Sequence, residues 1–297
     1  MYLALTAASG SPGVSTTALG LALQRRPPSY TMPSYTLLVE ADPVGSSPTL
    51  AGFQRGAVVR DKGLENLINP QRFGDLRTSI GKEVFVLPGT AVSVLPGLKH
   101  AGQVEAMRST WAPLAQQLLR YSVADPDQDS PPQTVIVDAG RMGHDAGPMD
   151  LMRQADLIGI VVRPTLARIA ALKSALTPFK RDLTARRARA CIGLIVIGSR
   201  LTVGTDTYSA REIARAVDLE LITTLPDLPR EARMLSDGAS VPRWRPQRAL
   251  YLRALHRAWN DIESFTTTHR PPWLDQQTPL DAVGTPTAPA MAGGARR

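Results

Sequence analysis

The chain has 297 residues, of which 43% are hydrophobic, and a formal net charge of +8. This length allows one large domain or two ordinary ones with a substantial core. A single cysteine, Cys191, excludes a disulfide framework within the chain. No run reaches the roughly 18 apolar residues of a membrane span, and the first residues lack the basic start of a signal peptide. We therefore expect a cytoplasmic protein.

Short apolar runs alternate along the chain with stretches of helical spacing. Strands are predicted at residues 1–7, 37–41, 83–87, 92–95, 134–137, 157–162, 191–197 and 219–225. Helices are predicted at residues 14–24, 48–53, 63–68, 103–120, 150–155, 165–183, 209–217 and 248–265. Continuous apolar runs indicate strands that are buried on both faces. Their alternation with helices predicts a doubly wound, mostly parallel α/β sheet with helices on both faces.

The last part of the chain has a different composition. Residues 266–297 are rich in Pro, Thr, Ala and Gly and show no periodicity, which predicts a disordered tail after a single domain at 1–265. The tail has almost no large apolar residues at helical spacing, so it gives no strong sign of a membrane-binding helix.

Many of the arginines lie in two stretches, residues 180–189 and 230–257. An excess of positive charge favours acidic partners such as nucleic acid or an anionic membrane surface. The alternative is a solvated arginine-rich surface with no partner.

A glycine turn lies between the first predicted strand and the first predicted helix. Residues 10–17 read Gly-Ser-Pro-Gly-Val-Ser-Thr-Thr, and strand, glycine turn and helix start are the context that a phosphate-binding loop requires. Gly10 opens the pattern and Thr17 closes it with the hydroxyl that would hold Mg²⁺, but Ser15 replaces the second glycine and Thr16 the lysine. A strand-turn-helix without a ligand is the alternative.

Two aspartates follow predicted strands. Asp42 precedes Pro43, and Asp138 follows the strand at 134–137. Ligands of such sheets bind at the carboxyl ends of the strands, where Asp138 could hold Mg²⁺ through water and Asp42 could orient an attacking water. The alternatives are a strand-ending Asp-Pro turn and an N-cap or turn residue.

These segments resemble the ParA/MinD-like P-loop ATPases of the SIMIBI class. Residues 10–17 look like their deviant P-loop, residues 37–45 their second-strand motif, and residues 135–140 their Walker B and switch II segment. Residues 155–164 and 225–227 are similar to the strand after switch II and to the loop near the adenine. The amino-acid sequences of these motifs are most similar to those of a divergent actinobacterial branch of MinD-like proteins that includes TadZ-like pilus and septum-site proteins.

The resemblance implies a homodimer that binds ATP or ADP with Mg²⁺ and acts as a positional switch on DNA, on membrane or at a cell pole. It also assigns site residues. The implied phosphate-binding residues are Gly10, Ser11, Pro12, Gly13, Val14, Ser15, Thr16 and Thr17. Thr17 and Asp138 would hold the magnesium ion and Asp42 the hydrolytic water. The residues near the base would be Ser199, Arg200, Pro226 and Asp227.

The chain differs from the family at two positions where the family has a lysine. The signature lysine would fall at Ser11 and the usual P-loop lysine at Thr16, so a degenerate Walker A is expected. Removing one group that stabilises transferring charge commonly costs about two to three orders of magnitude in rate. We expect weak nucleotide binding with very slow or absent hydrolysis, and Arg141 or an arginine of another chain is a candidate replacement. The alternatives are a nucleotide-free scaffold for a pilus, secretion or septum-site system and a nonspecific DNA-binding partition factor.

Overall fold

The computed structural model describes residues 1–10, 13–24, 35–57, 61–68, 76–123, 133–198, 208–240, 242, 244 and 246–271. In this part of the chain eight strands form one sheet. They are β1 (Tyr2–Ala7), β2 (Thr36–Glu40), β3 (Phe85–Val86), β4 (Val92–Leu95), β5 (Thr134–Arg141), β6 (Leu157–Val162), β7 (Cys191–Gly198) and β8 (Leu221–Pro226).

The strand order is β3-β4-β2-β5-β1-β6-β7-β8. Every pairing is parallel except that of β3 with β4. All residues of the central strands β1 and β6 are buried, which explains why their sequences are continuous apolar runs. The predicted mostly parallel sheet is confirmed.

The helices lie on both faces of this sheet, as predicted. They are α1 (Val14–Gln24), α2 (Leu76–Glu83), α3 (Trp111–Ser122), α4 (Met149–Gln154), α5 (Leu166–Ala185), α6 (Ala210–Val217), α7 (Pro229–Ser236) and α8 (Pro246–Thr268). Alternate residues of β1 separate the two cores: Tyr2 packs with α3–α6, whereas Leu3 packs with α1, α7 and α8.

Some predicted elements differ from the structure. The helix predicted at 103–120 begins only at Trp111, because residues 101–107 form two short 3₁₀ turns. Helices α2 and α7 were not predicted. Helix α8 runs three residues past the predicted domain end at 265, and residues 272–297 lie outside the described residues. Within the described ranges, no helix has the length and apolar character that crossing a membrane requires.

Candidate functional site

Three carboxylates converge at the carboxyl ends of β2 and β5. Asp138 lies within β5 opposite Glu40 of β2, and it is 1% exposed. The backbone N–H of Ala41 donates to the Asp138 carbonyl at 2.7 Å, which places Asp42 directly beyond the pair. Burial, together with the smaller effect of the charges of Asp42 and Glu40, raises the pKa of Asp138 to about 7, although hydrogen bonds from Ser15 and Gly140 lower it.

The backbone at Gly140 brings Asp42 close to β5. Gly140 has φ +59°, and a Cβ there would overlap the carboxyl group of Asp42. The Thr6 hydroxyl donates to the Gly140 carbonyl at 3.1 Å, and the Val44 N–H donates to Oδ1 of Asp42 at 2.9 Å. A glycine is therefore required here both by its conformation and by the carboxyl group packed against it.

Glu40 holds the segment that follows β2. The Ser47 hydroxyl, the Thr49 N–H at 2.8 Å and the Gly97 N–H all donate to its carboxylate. Burial nevertheless raises its pKa above the ordinary value. These bonds tie the chain after Asp42 to the end of the sheet, a role that the sequence analysis did not assign to Glu40.

The glycine turn leads into α1 beside this carboxylate cluster. Gly13 has φ +106°, and the Thr17 N–H donates to the Gly13 carbonyl at 2.9 Å in the first turn of the helix. Thr17 is buried, and the hydroxyl of Ser15 donates to the Asp138 carboxylate. The first turn of α1 and the end of β5 thus form one polar site. The predicted phosphate-binding residues Ser11 and Pro12 lie outside the described residues.

Two arginines reach the opening of the turn. Nη1 of Arg168, in α5, donates to the Gly10 carbonyl at 2.7 Å. Nη2 of Arg141 lies 2.9 Å from the position that a Cβ on Gly10 would take. Arg141 is a replacement cation that the sequence suggests, whereas the contact of Arg168 spans 158 residues and leaves no local signal in the sequence.

Two of the four residues predicted near the base, Pro226 and Asp227, lie at the end of β8. The Asp227 carboxylate pairs with Arg163 at 2.6 Å. The backbone N–H of Asp227 donates to the Gly198 carbonyl at 3.2 Å. A cavity of about 370 Å³ adjoins Gly198, Pro226 and Asp227. The Ile197 side chain lies 3.0 Å from the Cβ position of Gly13, so the end of β7 borders the glycine turn. Ser199 and Arg200 lie outside the described residues.

The side chains present fit a magnesium nucleotide. Backbone N–H groups at a helix start and two guanidinium groups favour an anion, while a buried carboxylate at elevated pKa favours a cation beside it. The described residues contain no group of three or more His, Cys, Asp or Glu side chains able to hold a metal ion. Mg²⁺ is usually bound by one or two carboxylates together with phosphates and water.

The chain resembles proteins of known structure. No protein-family model and no curated protein matches the chain. The septum site-determining protein MinD of Pyrococcus horikoshii, solved with Mg-ADP, superposes with a TM-score of 0.61 at 15% identity, over 90% of this chain and 97% of that one. A ParA family ATPase from Chlorobium tepidum gives 0.60 at 13% identity, over 87% and 98%. The chain has the MinD/ParA fold.

The chain also resembles the structure of the MinC:MinD cell division protein complex of Aquifex aeolicus. It superposes with a TM-score of 0.57 at 15% identity, over 88% of this chain and 95% of that one. At these identities the likeness concerns the fold, so the ligand and activity of this chain have to be argued from its own residues.

Proposed function

We propose that this chain is a MinD/ParA-like nucleotide-binding protein of a positioning or partitioning system. Its ligand is ATP or ADP with Mg²⁺, bound at the degenerate P-loop. The observation that carries the proposal is the hydrogen bond from Ser15 to the buried Asp138, because it joins the helix start that favours phosphate to the carboxylate that favours a cation.

We propose the following roles for the site residues. Residues 10–17 surround the phosphates, to which each of them except Pro12 can donate a backbone N–H, and Thr17 and Asp138 hold the magnesium ion. Bound there, the ion would neutralise phosphate charge. Asp42, which lies against Gly140 beside Asp138, orients water. The segment at Pro226 and Asp227, together with Ser199 and Arg200, borders the base.

Hydrolysis is proposed to be very slow or absent. Residues 10–17 contain no lysine or arginine, so no ammonium group of the turn itself stabilises charge on the transferring phosphoryl group. Binding through backbone N–H groups does not need that ammonium group. The protein would then act as a nucleotide-dependent binding switch with little turnover.

Titration with a fluorescent ATP analogue tests the proposal. We expect binding that is tighter with Mg²⁺ than with EDTA, and a loss of most of that difference in Thr17→Ala, because the variant removes the proposed magnesium ligand. Thr184→Ala is the matched control, since Thr184 is exposed and its hydroxyl donates to the Lys180 carbonyl of the same helix. Absence of binding by the wild-type chain would instead support a nucleotide-free scaffold of a pilus, secretion or septum-site system.

We also propose a homodimer that docks a protein partner of such a system, and we keep nonspecific DNA as an alternative partner. A cleft of about 280 Å³ is lined by Arg153, Arg186, Arg187 and Arg189. Arg153 pairs with Asp150 and Asp182 and Arg189 with Asp156, whereas the side chains of Arg186 and Arg187 are exposed.

If this cleft binds DNA, affinity should fall steeply with salt, since each phosphate contact releases counterions. The double variant Arg186→Gln, Arg187→Gln should weaken binding and reduce the slope of log K against log salt by about 1 to 2. Arg108→Gln, which removes an exposed arginine paired with Glu105, is the control. Binding that is absent at low salt would eliminate the DNA alternative.

A further inference from the structure

The glycine turn has no cation of its own, but two guanidinium groups from elsewhere in the fold flank its opening residue. We infer that Arg168 and Arg141 bind the outermost phosphoryl group of a nucleoside triphosphate, and that they make this site prefer a triphosphate to a diphosphate. The inference rests on the proposed function and names residues that the sequence motif does not contain.

Arg168 is held in place by the start of α5. Its own N–H and that of Ile169 donate to the Thr165 carbonyl at 3.0 Å, which forms the first turn. From there Nη1 spans to the Gly10 carbonyl at 2.7 Å. A guanidinium group carries five N–H donors, so this one bond leaves donors for a ligand and fixes the group over the turn.

Arg141 reaches Gly10 from the end of β5. It ends β5 opposite Ala7 of β1, and the Met142 N–H donates to the Ala7 carbonyl at 2.9 Å, so its Cα is fixed beside the start of the turn. Nη2 lies 2.9 Å from the Cβ position of Gly10. A side chain on Gly10 would therefore displace this guanidinium group.

The carboxylates beside the turn favour additional cations when a polyphosphate binds. Glu40, Asp42 and Asp138 lie together at the ends of β2 and β5, and their charge opposes a polyphosphate. Magnesium offsets part of it. Arginine can offset the rest, because its planar fork binds phosphate oxygens bidentately.

The position of the two arginines at Gly10 supports a contact with the outermost phosphoryl group. The N–H groups of the first turn of α1 follow Gly13, whereas the guanidinium groups lie at Gly10, at the other end of the turn. A ligand whose inner phosphates meet the helix start therefore presents its outermost phosphoryl group to Arg141 and Arg168. On this inference a diphosphate leaves the two guanidinium groups without a phosphate partner.

The test compares equilibrium affinities for fluorescent ATP and ADP analogues in Mg²⁺. We expect the wild-type chain to prefer the ATP analogue, and the double variant Arg141→Gln, Arg168→Gln to lose about tenfold or more in ATP-analogue affinity with little change for ADP. The double variant Arg141→Lys, Arg168→Lys keeps both charges and should retain part of the preference. Arg108→Gln is the remote control, and thermal denaturation checks that each variant is folded.

The outcomes separate the inference from the proposed function. A wild-type chain that binds neither analogue overturns the proposed function, and the inference with it. A wild-type chain that binds both analogues equally overturns the inference alone. An unchanged preference in the Gln variant, or an equal loss for ATP and ADP, also overturns it, since the arginines would then only shape the turn.

Discussion

Replacing Asp138 by asparagine should make the nucleotide-free protein more stable at pH 8 and remove the effect of Mg²⁺ on nucleotide binding. Burial raises the pKa of Asp138 from 3.8 to about 7, so the unfolded chain loses this proton at a lower pH than the folded one. The contribution of the group to stability is full below about pH 4 and is lost as pH rises to about 7. At about 1.4 kcal/mol per pKa unit, the loss is on the order of 4 kcal/mol.

Thermal denaturation between pH 5 and pH 8 measures the larger part of this effect. The wild-type melting temperature should fall across that interval by more than that of Asp138→Asn, which has no carboxyl group to ionise. Asp182→Asn is the control with the opposite expectation, because Asp182 is half-buried and ion-paired with Arg153, so its removal should not stabilise. A lower melting temperature of Asp138→Asn at pH 8 would contradict the burial argument.

Because the ionised Asp138 carboxylate destabilises the folded chain, we expect that a bound ligand compensates for it. The Ser15 hydroxyl and the Gly140 N–H, which donates at 3.0 Å, offset part of the desolvation of Asp138 and leave its pKa raised. Residues that violate a stability rule in this way are commonly retained for function. Magnesium nucleotide should therefore stabilise the wild-type chain against heat more than it stabilises Asp138→Asn.

The sheet was predictable because its signal is local. Strands β1 and β6 are buried along their whole length, and their continuous apolar sequences indicate this burial without any information from the rest of the chain. Helices α2 and α7 were missed because their burial is slight: Ile80 is the buried residue of α2, and α7 buries Leu235 and the charged Glu231. An apolar periodicity cannot be read from one or two residues.

The carboxylate cluster was partly predictable from topology. Asp42 and Asp138 follow apolar runs, and the carboxyl ends of parallel strands meet at one edge of a sheet. The prediction ended β5 at residue 137, whereas the strand continues to Arg141 and places Asp138 inside the sheet. The contact of Arg168 with Gly10 depends on the packing of α5 against the turn, and no pattern in either segment reports it.

Gly140→Ala should destabilise the protein through a clash with Asp42. An alanine at φ +59° is strained by about 1 kcal/mol or more. Its Cβ would also overlap the Asp42 carboxyl group, and overpacking of this kind costs about 1 to 3 kcal/mol. Chemical denaturation should therefore show a free energy of unfolding lower by about 2 to 4 kcal/mol.

Gly143→Ala separates the clash from the strain. Gly143 has φ +88°, and a Cβ there meets no atom within 4 Å, so this variant should carry the backbone strain alone. In an Asp42→Ala background the three atoms nearest to the Cβ position of Gly140 are gone, and Gly140→Ala should then cost less than it does in the wild-type background. Because the two residues are in direct contact, this double-mutant cycle should give a coupling of about 1 kcal/mol or more. Additive effects would show that Asp42 does not lie against Gly140, and would remove the geometry on which its proposed role at the site depends.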